Sequence, residues 1–335
     1  MSLVGNSFVT LADYAKRLDP NGNIAQICNV LSQFNPIMKD IPWVEGNLPT
    51  GHRFTSSTAL PSGTWRKLNK GYDATKGTTD QVDETCGIFE ARSAIDVDNP
   101  GMQGANKAQY RAGEDLLFLS GMGNDVASAL FYSSVAANPE QIQGLAPRLN
   151  VTSGNPASGQ ILKWGGSSAG ADQTSVWLVG WSPDKVFGIY PKDTKAGVDQ
   201  QDLGQQLVLD GNNKQFLAWL TRFVWKLGVC VRDYRYLVRG CNIDTSAATN
   251  TDGYIINLLT DMYAALYSMD NCNPRFYMNR WTFSHFNKNL MGKQANLLEW
   301  VDGSESGKPG VRVPAFLGVP IIITDAISKA EGIVT

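Results

Sequence analysis

Residues 106–134 place small and apolar side chains at Ala108, Ala112, Leu116, Leu119, Val126, Ala127 and Leu130, largely at steps of three and four. That spacing is the period of one helix face, so the segment is predicted to be a single amphipathic helix. At about 1.5 Å per residue it would run about 45 Å, the span of a domain, and a helix of that length serves as a support for other elements. Its intrinsic stability is poor, because Gly113, Gly121 and Gly123 each cost up to about 1 kcal/mol relative to alanine. Packing has to hold it, and the glycines are candidate points of close approach by another segment.

A chain of 335 residues buries a sizeable core and fits about two domains. Its net charge is −2 and no Lys/Arg block stands out, so any contact with nucleic acid is expected to be diffuse and weak. Charged residues make up 18 % of the chain, against about 25 % in ordinary globular proteins. That suits a surface covered by other chains, and equally a β-rich monomer. The five cysteines, Cys28, Cys86, Cys230, Cys241 and Cys272, are scattered and form no C-x-x-C pair. This argues against a disulfide framework or a structural zinc and for buried thiols in a reducing cytoplasm. The N-terminus lacks the pattern of a signal peptide, and the most apolar run, 315–323, is too short to span a bilayer, so a soluble, intracellular product without membrane contact is expected.

Along the chain, residues 8–34 read as two short helices separated by Asp19-Pro20-Asn21-Gly22, an arm that must fold on something else. Extended runs at 50–59 and 78–97 flank Pro61-Ser62-Gly63 and Trp65-Arg66-Lys67-Leu68-Asn69-Lys70-Gly71-Tyr72, which predicts a long hairpin with a wide tip. Trp65, Arg66, Leu68 and Tyr72 on such a tip have the composition of an interface anchor, and they are the candidate contacts with another subunit. Beyond the long helix a loop-rich stretch, 138–170, leads to strands at 175–181, 186–190, 205–210, 215–223 and 227–238. Helices follow at 253–269 and 282–291, strands at 297–301 and 311–313, and a buried strand at 316–324.

Sites of chemistry are scarce. The two histidines, His52 and His285, lie on different elements without a metal-ligand spacing; the first reads as a hairpin surface residue and the second as a helix residue. No phosphate-binding loop, dinucleotide fingerprint or nucleophile elbow occurs. Glu84 with Glu90, or Glu114 with Asp115, are conceivable acid/base pairs, but they read more simply as surface acids, and Arg232, Asp233 and Arg235 as strand-edge ion pairs. No catalytic residue, cofactor or metal is expected.

The phrases Leu11-Ala12-Asp13-Tyr14-Ala15-Lys16-Arg17-Leu18-Asp19-Pro20, Trp43-Val44-Glu45-Gly46-Asn47-Leu48-Pro49-Thr50-Gly51-His52-Arg53, Leu145-Ala146-Pro147-Arg148 and Arg232-Asp233-Tyr234-Arg235-Tyr236, with the order of elements, resemble the major capsid proteins of tailed bacteriophages. These have the Hong-Kong-ninety-seven-type fold, and the likeness is closest to short-tailed phages of the epsilon-fifteen type. The resemblance implies an α+β subunit: an N-terminal arm (1–42), an extended β-hairpin loop (43–98), a peripheral domain with the spine helix (99–248) and an axial domain (249–335). It implies a structural protein and not an enzyme, self-assembling as hexamers and pentamers into an icosahedral virion head around double-stranded DNA, built in the host bacterial cytoplasm. Scaffolding, portal and decoration proteins are the further partners it implies.

Two departures from the family pattern stand out. The phrase Leu317-Gly318-Val319-Pro320 usually precedes the phrase Val231-Arg232-Asp233-Tyr234 and here follows it, which predicts a rearranged chain order, with the strands at 175–243 packing on the spine helix. The chain also starts at the arm, without a coiled-coil segment, so a separate scaffolding protein is implied. Some relatives lock the loop through a lysine–asparagine isopeptide bond; Lys67, Lys70 and Lys76 lie in the right region, but no motif assigns the bond and a noncovalent clasp is expected. The other reading, suggested by nine tryptophans and the β content, is a carbohydrate-processing enzyme or a β-rich carbohydrate-binding module.

Overall fold

The computed structural model describes residues 35–99, 107–154, 157–164, 172–210, 212–245, 254–292, 298–302 and 312–335. The expected arm helices at 8–34 lie outside them. A short helix α1 (Ile37–Asp40) leads into β1 (Trp43–Glu45), then β2 (Gly51–Ala59), β3 (Thr78–Thr85) and β4 (Gly87–Asp96). The long helix α2 (Lys107–Tyr132) follows, and after it β5 (Ile161–Lys163), β6 (Gln173–Trp181), β7 (Val186–Tyr190), β8 (Val198–Leu209), β9 (Gln215–Val231) and β10 (Leu237–Asp244). The chain continues through α3 (Tyr254–Ala265), β11 (Asn273–Met278), α4 (Arg280–Gly292), β12 (Leu298–Asp302), β13 (Arg312–Phe316) and β14 (Val319–Ile323).

The centre is β6, every residue of which is buried. It pairs antiparallel with β10 on one side and β11 on the other, and β14 continues the sheet parallel to β11. A strand covered on both faces gains most from an unbroken apolar run, and Val176-Trp177-Leu178-Val179 supplies one. Phe131 near the end of α2 meets Trp177 at 6.1 Å and Tyr277 at 6.4 Å between ring centroids, which ties the long helix to this sheet. Helix α3 lies on β10 so closely that a Cβ at Gly240 would stand 2.9 Å from Met262 Sδ. Phe286 of α4 packs edge-on against Phe316. Backbone hydrogen bonds from β6 to both β10 and β11 therefore join the segments before and after residue 249 in one sheet.

Strand β9 is long enough to serve two sheets. Its first part pairs with β8 and β4 beneath α2, and its last residues pair with β7, which continues to β1. Phe118 of α2 stacks on Phe223 of β9 with centroids 6.3 Å apart. Arg111 donates to Thr221 at 3.1 Å and pairs with Asp202 at 2.8 Å. Where β1 meets β7, Gly188 leaves room for an indole: an added Cβ would lie 2.5 Å from Trp43 Cε3 and 2.7 Å from Ile41 Cγ2.

Several expectations change. The helix forms over nearly the expected span, but its first half faces inward with Tyr110, Glu114 and Met122, while Ala108, Ala112 and Leu116 are exposed. Both sets keep helical spacing, and period alone does not fix phase. Among the described residues, an added Cβ at Gly113 or Gly121 would meet nothing within 4 Å, and at Gly123 only Met38 Cε at 3.9 Å, so no described segment approaches closely there. Strands expected at 215–223 and 227–238 are instead β9, unbroken to Val231, and a separate β10. β11 lies between two helices where no strand was predicted. The expected terminal strand divides at the turn Leu317-Gly318, both residues of which have positive φ, +49° and +77°.

Candidate assembly surfaces

The hairpin of β2 and β3 is in register from Gly51↔Thr85 to Ala59↔Thr78, with one shift after Ser57. Its root is a small apolar cluster in which Phe54 packs with Phe187, Ile189 and Cys230. Beyond Phe54 and Val82 the side chains turn outward almost without exception. A cross-strand ion pair stiffens the exposed part, Arg53 donating to both oxygens of Asp83 at 2.5 and 2.6 Å. At the tip, Trp65 is fully exposed, Leu68 is 87 % exposed and Tyr72 72 %. Arg66, beside them, is exposed as well. All four candidate contact residues thus sit together on a projection with no core of its own.

The root is held from beneath by charge. Glu84 of β3 and Arg148 are both buried and form a bidentate pair, in which Nη2 donates to Oε2 at 2.6 Å and Nη1 to Oε1. Arg148 also donates to the carbonyls of Gly144, Gln143 and Val229. Glu84 is therefore not a surface acid, and neither is Glu114, which is 4 % exposed. Neither pairs with its proposed partner: Glu90 binds Arg222 and Arg92, which hold its carboxyl down at about 2, and Asp115 accepts from Gln200 at 3.1 Å. The phrase Leu145-Ala146-Pro147-Arg148 thereby acquires a physical meaning, a short 3-10 turn that delivers Arg148 to the hairpin root.

His52 is half-buried, its ring edge-on to Phe187 at 5.6 Å, and burial followed by the charge of Arg232 lowers its pKa. His285 lies tilted against Trp281 in α4, with ring centroids 4.0 Å apart. Arg235 pairs with Asp233 at 2.8 Å inside the turn after β9 rather than along a strand edge. This turn, Lys185 and the outer part of β2 border an open cleft. Burial pushes the Cys86 and Cys230 thiols up to about 12, which leaves them un-ionised and inert at neutral pH. Among the described residues no group of three His, Cys, Asp or Glu is placed to hold a metal ion. Among them, too, no helix is long and apolar enough to cross a membrane.

Two further buried clusters fasten the ends of the described chain. Arg239 pairs with Glu331 at 2.8 Å, and Tyr132 and Ser175 donate to the same carboxylate. Asp40 accepts from Tyr277 at 2.8 Å beside Arg275, and Tyr277 in turn accepts from Trp181 at 2.8 Å. Sequence reasoning missed both, since their partners lie far apart in the chain.

A family model described as Major capsid protein GP7 matches residues 19–335. The chain belongs to that family. Among solved structures, that of bacteriophage Epsilon15 aligns over 100 % of both chains at 29 % identity and a TM-score of 0.76. The SrpI encapsulin of Synechococcus elongatus PCC 7942 aligns over 71 % of this chain and 98 % of its own at 12 % identity, with a TM-score of 0.45. The bacteriophage JBD30 capsid aligns over 77 % and 83 % at 8 % identity, with a TM-score of 0.43. No match is found among the curated proteins. This member of the capsid family has the mixed α+β phage capsid fold and is a building block of a tailed-phage capsid, so the carbohydrate reading is not favoured.

Proposed function

We infer that subunits of this capsid protein clasp one another through the hairpin tip, forming hexamers and pentamers that close an icosahedral head around double-stranded DNA in the host cytoplasm. What supports the reading is one observation: Trp65, Leu68 and Tyr72 stand exposed beyond the last apolar contact of the root. A two-stranded ribbon is marginal in water and needs a surface to rest on. A neighbouring subunit supplies it, with Arg66 fitted to an acidic or carbonyl-lined rim. With a net charge of −2, the protein would hold DNA by diffuse contacts only. Scaffolding, portal and decoration proteins are the partners this reading adds.

The same reading divides the chain into arm (1–42), loop (43–98), peripheral part (99–248) and axial part (249–335). The β2–β3 ribbon at the heart of the proposed loop stands apart from the main sheet, but the same loop takes in β1 and β4, which pair with β7 and β9, and the line at 249 crosses a sheet in which β6 pairs on both sides. Sedimentation and negative-stain microscopy of the expressed protein test the reading. Capsomers or closed shells are expected; a small closed oligomer that never forms shells, with or without a scaffolding protein, would overturn it.

A further inference from the structure

Among the described residues, strand β8 is a sheet edge with no second neighbour. Its partner is β9, along its whole length from Val198↔Trp225 to Leu209↔Gln215. Proteins ordinarily protect such an edge with lysine, proline, a bulge or a covering loop, because free N–H and C=O groups recruit another strand. Residues 198–209 contain no Lys, Arg or Pro, and residues 203–209, Leu203-Gly204-Gln205-Gln206-Leu207-Val208-Leu209, carry no charge at all. The one bulge sits upstream, between Asp202 and Gly204, where Gly204 has φ +72°. Downstream the strand ends in the turn closed by Asp210 N donating to Lys214 O at 2.8 Å.

The hydrogen bonds also tell which residues face out. Val97 N donates to Leu217 O on the far side of β9, and Leu217 lies opposite Leu207. The Leu207↔Leu217 pair is therefore one whose N–H and C=O groups point away from each other, and those of Leu207 point to the open edge. By the two-residue period so do those of Gln205 and Leu209. Leu207 is also 67 % exposed and Leu209 53 %.

We propose that β8 pairs antiparallel with β8 of a second copy of this chain, centred on Leu207, across a two-fold axis. Identical strands meeting antiparallel generate that axis of necessity. Centred on Leu207, the pairing sets Leu207 against Leu207 and Gln205 against Leu209, uses all three outward residues of each copy, and makes about six interchain hydrogen bonds. Asp210 then faces Gly204. A centre one residue earlier sets Asp210 against Asp202 of the other copy, a like-charge pair that disfavours it. A centre one residue later runs Gln205 past the end of the strand. Charge and hydrogen-bonding pattern thus select one register. The capsid reading fixes only where the contact falls, between subunits of a shell; the pairing itself follows from the strand.

The test is a Leu207→Cys variant, assembled and exposed to oxidised glutathione, then run on a non-reducing gel beside the parent protein as background. Residues directly opposite in such a pair lie within disulfide reach, so a dimer band is expected for Leu207→Cys and not for Val208→Cys. Leu207→Lys, which sets two like charges face to face, should lower particle yield about tenfold while the subunit stays folded. Particles of Leu207→Cys that form without the band overturn the pairing and leave the capsid reading standing. If the parent forms no particles with or without a scaffolding protein, the capsid reading fails first, and the same band sought in concentrated soluble protein decides the pairing. Should the cysteine variant not assemble, hydrogen exchange on the parent decides: amides of residues 203–210 gain protection on assembly, and unchanged exchange there overturns the proposal.

Discussion

Glu84 and Arg148 meet in a bidentate pair that is buried on both sides, 64 residues apart in the chain and directly beneath the root of the projecting hairpin. Two charges withdrawn from water are costly singly and tolerable together, and here Nε and Nη2 of the guanidinium also donate to backbone carbonyls. The pair fixes where β3 leaves the body, and with it the direction of the hairpin.

Removing either partner should therefore unsettle the whole subunit. Glu84→Gln or Arg148→Met leaves a buried charge or its acceptors uncompensated, and each is expected to destabilise by about 3–5 kcal/mol in urea unfolding. The double variant Glu84→Gln/Arg148→Met should recover part of that loss. If the two single losses simply add in the double variant, the pair is not coupled as described.

Acid titration should move two carboxylates in opposite senses. Burial raises Asp40 above its ordinary 3.8, against the lowering effects of its Tyr277 hydrogen bond and of Arg275. The folded state then keeps that proton longer than the unfolded chain, and stability from the protonated form is lost as pH rises through the raised value. Hydrogen bonds from Arg222, then Arg92, lower Glu90 to about 2, so its contribution is complete above about 4.5 and is lost as pH falls toward 2. In thermal melts, the midpoint of Asp40→Asn relative to the parent should climb as pH rises above 4. That of Glu90→Gln should fall behind the parent as pH rises from about 2 to about 4.5 and then keep a constant gap. Parallel trends in the two variants would contradict the assignment.

Trp65→Ala should leave circular dichroism and subunit solubility unchanged and yet give fewer or looser shells by microscopy. Burying one such side chain is worth about 1.5–3 kcal/mol, and a closed shell repeats the contact at every subunit. Unchanged yield and heat resistance would remove the tip from the interface. Particles boiled in detergent should run as single subunits, because the clasp is expected to be noncovalent; a ladder would instead point to bonds through Lys67, Lys70 or Lys76.

Gly188→Ala tests the seat of Trp43. The added methyl collides with the indole at 2.5 Å and with Ile41, both in the stretch that delivers the chain to the hairpin. A cost of about 1–3 kcal/mol in urea unfolding is expected, with a shift in tryptophan emission. A variant as stable as the parent would mean that β1 yields freely.

How much of this was legible before the fold was known depends on the kind of signal. β7 lies at the predicted 186–190, because Val186-Phe187-Gly188-Ile189-Tyr190 is an apolar run closed by Pro191. The long helix and the hairpin declared themselves through period and through turn residues. β11 did not: Asn273-Pro274-Arg275-Phe276-Tyr277-Met278 neither alternates nor begins well, and only pairing with β6 and β14 makes it a strand. The first half of β8 is equally silent, since Gln200, Gln201 and Asp202 have no preference for extension and are held by β9. The candidate tip residues were visible as misplaced aromatics. The buried pairs were not, because a lone Glu84 or Arg239 in sequence looks like any surface charge until its partner arrives from a distant strand.

The hairpin behaves as a lever. From Phe54 to Trp65 the ribbon reaches as much as roughly 35 Å, at about 3.3 Å per residue. A rotation of about 10° at the root would carry the tip sideways by about 6 Å, more than the spacing between two strands. Slight play at one small hinge is thus magnified into reach. With the tip as the clasp proposed above, one unaltered fold would meet neighbours whose separation differs from place to place over a curved surface.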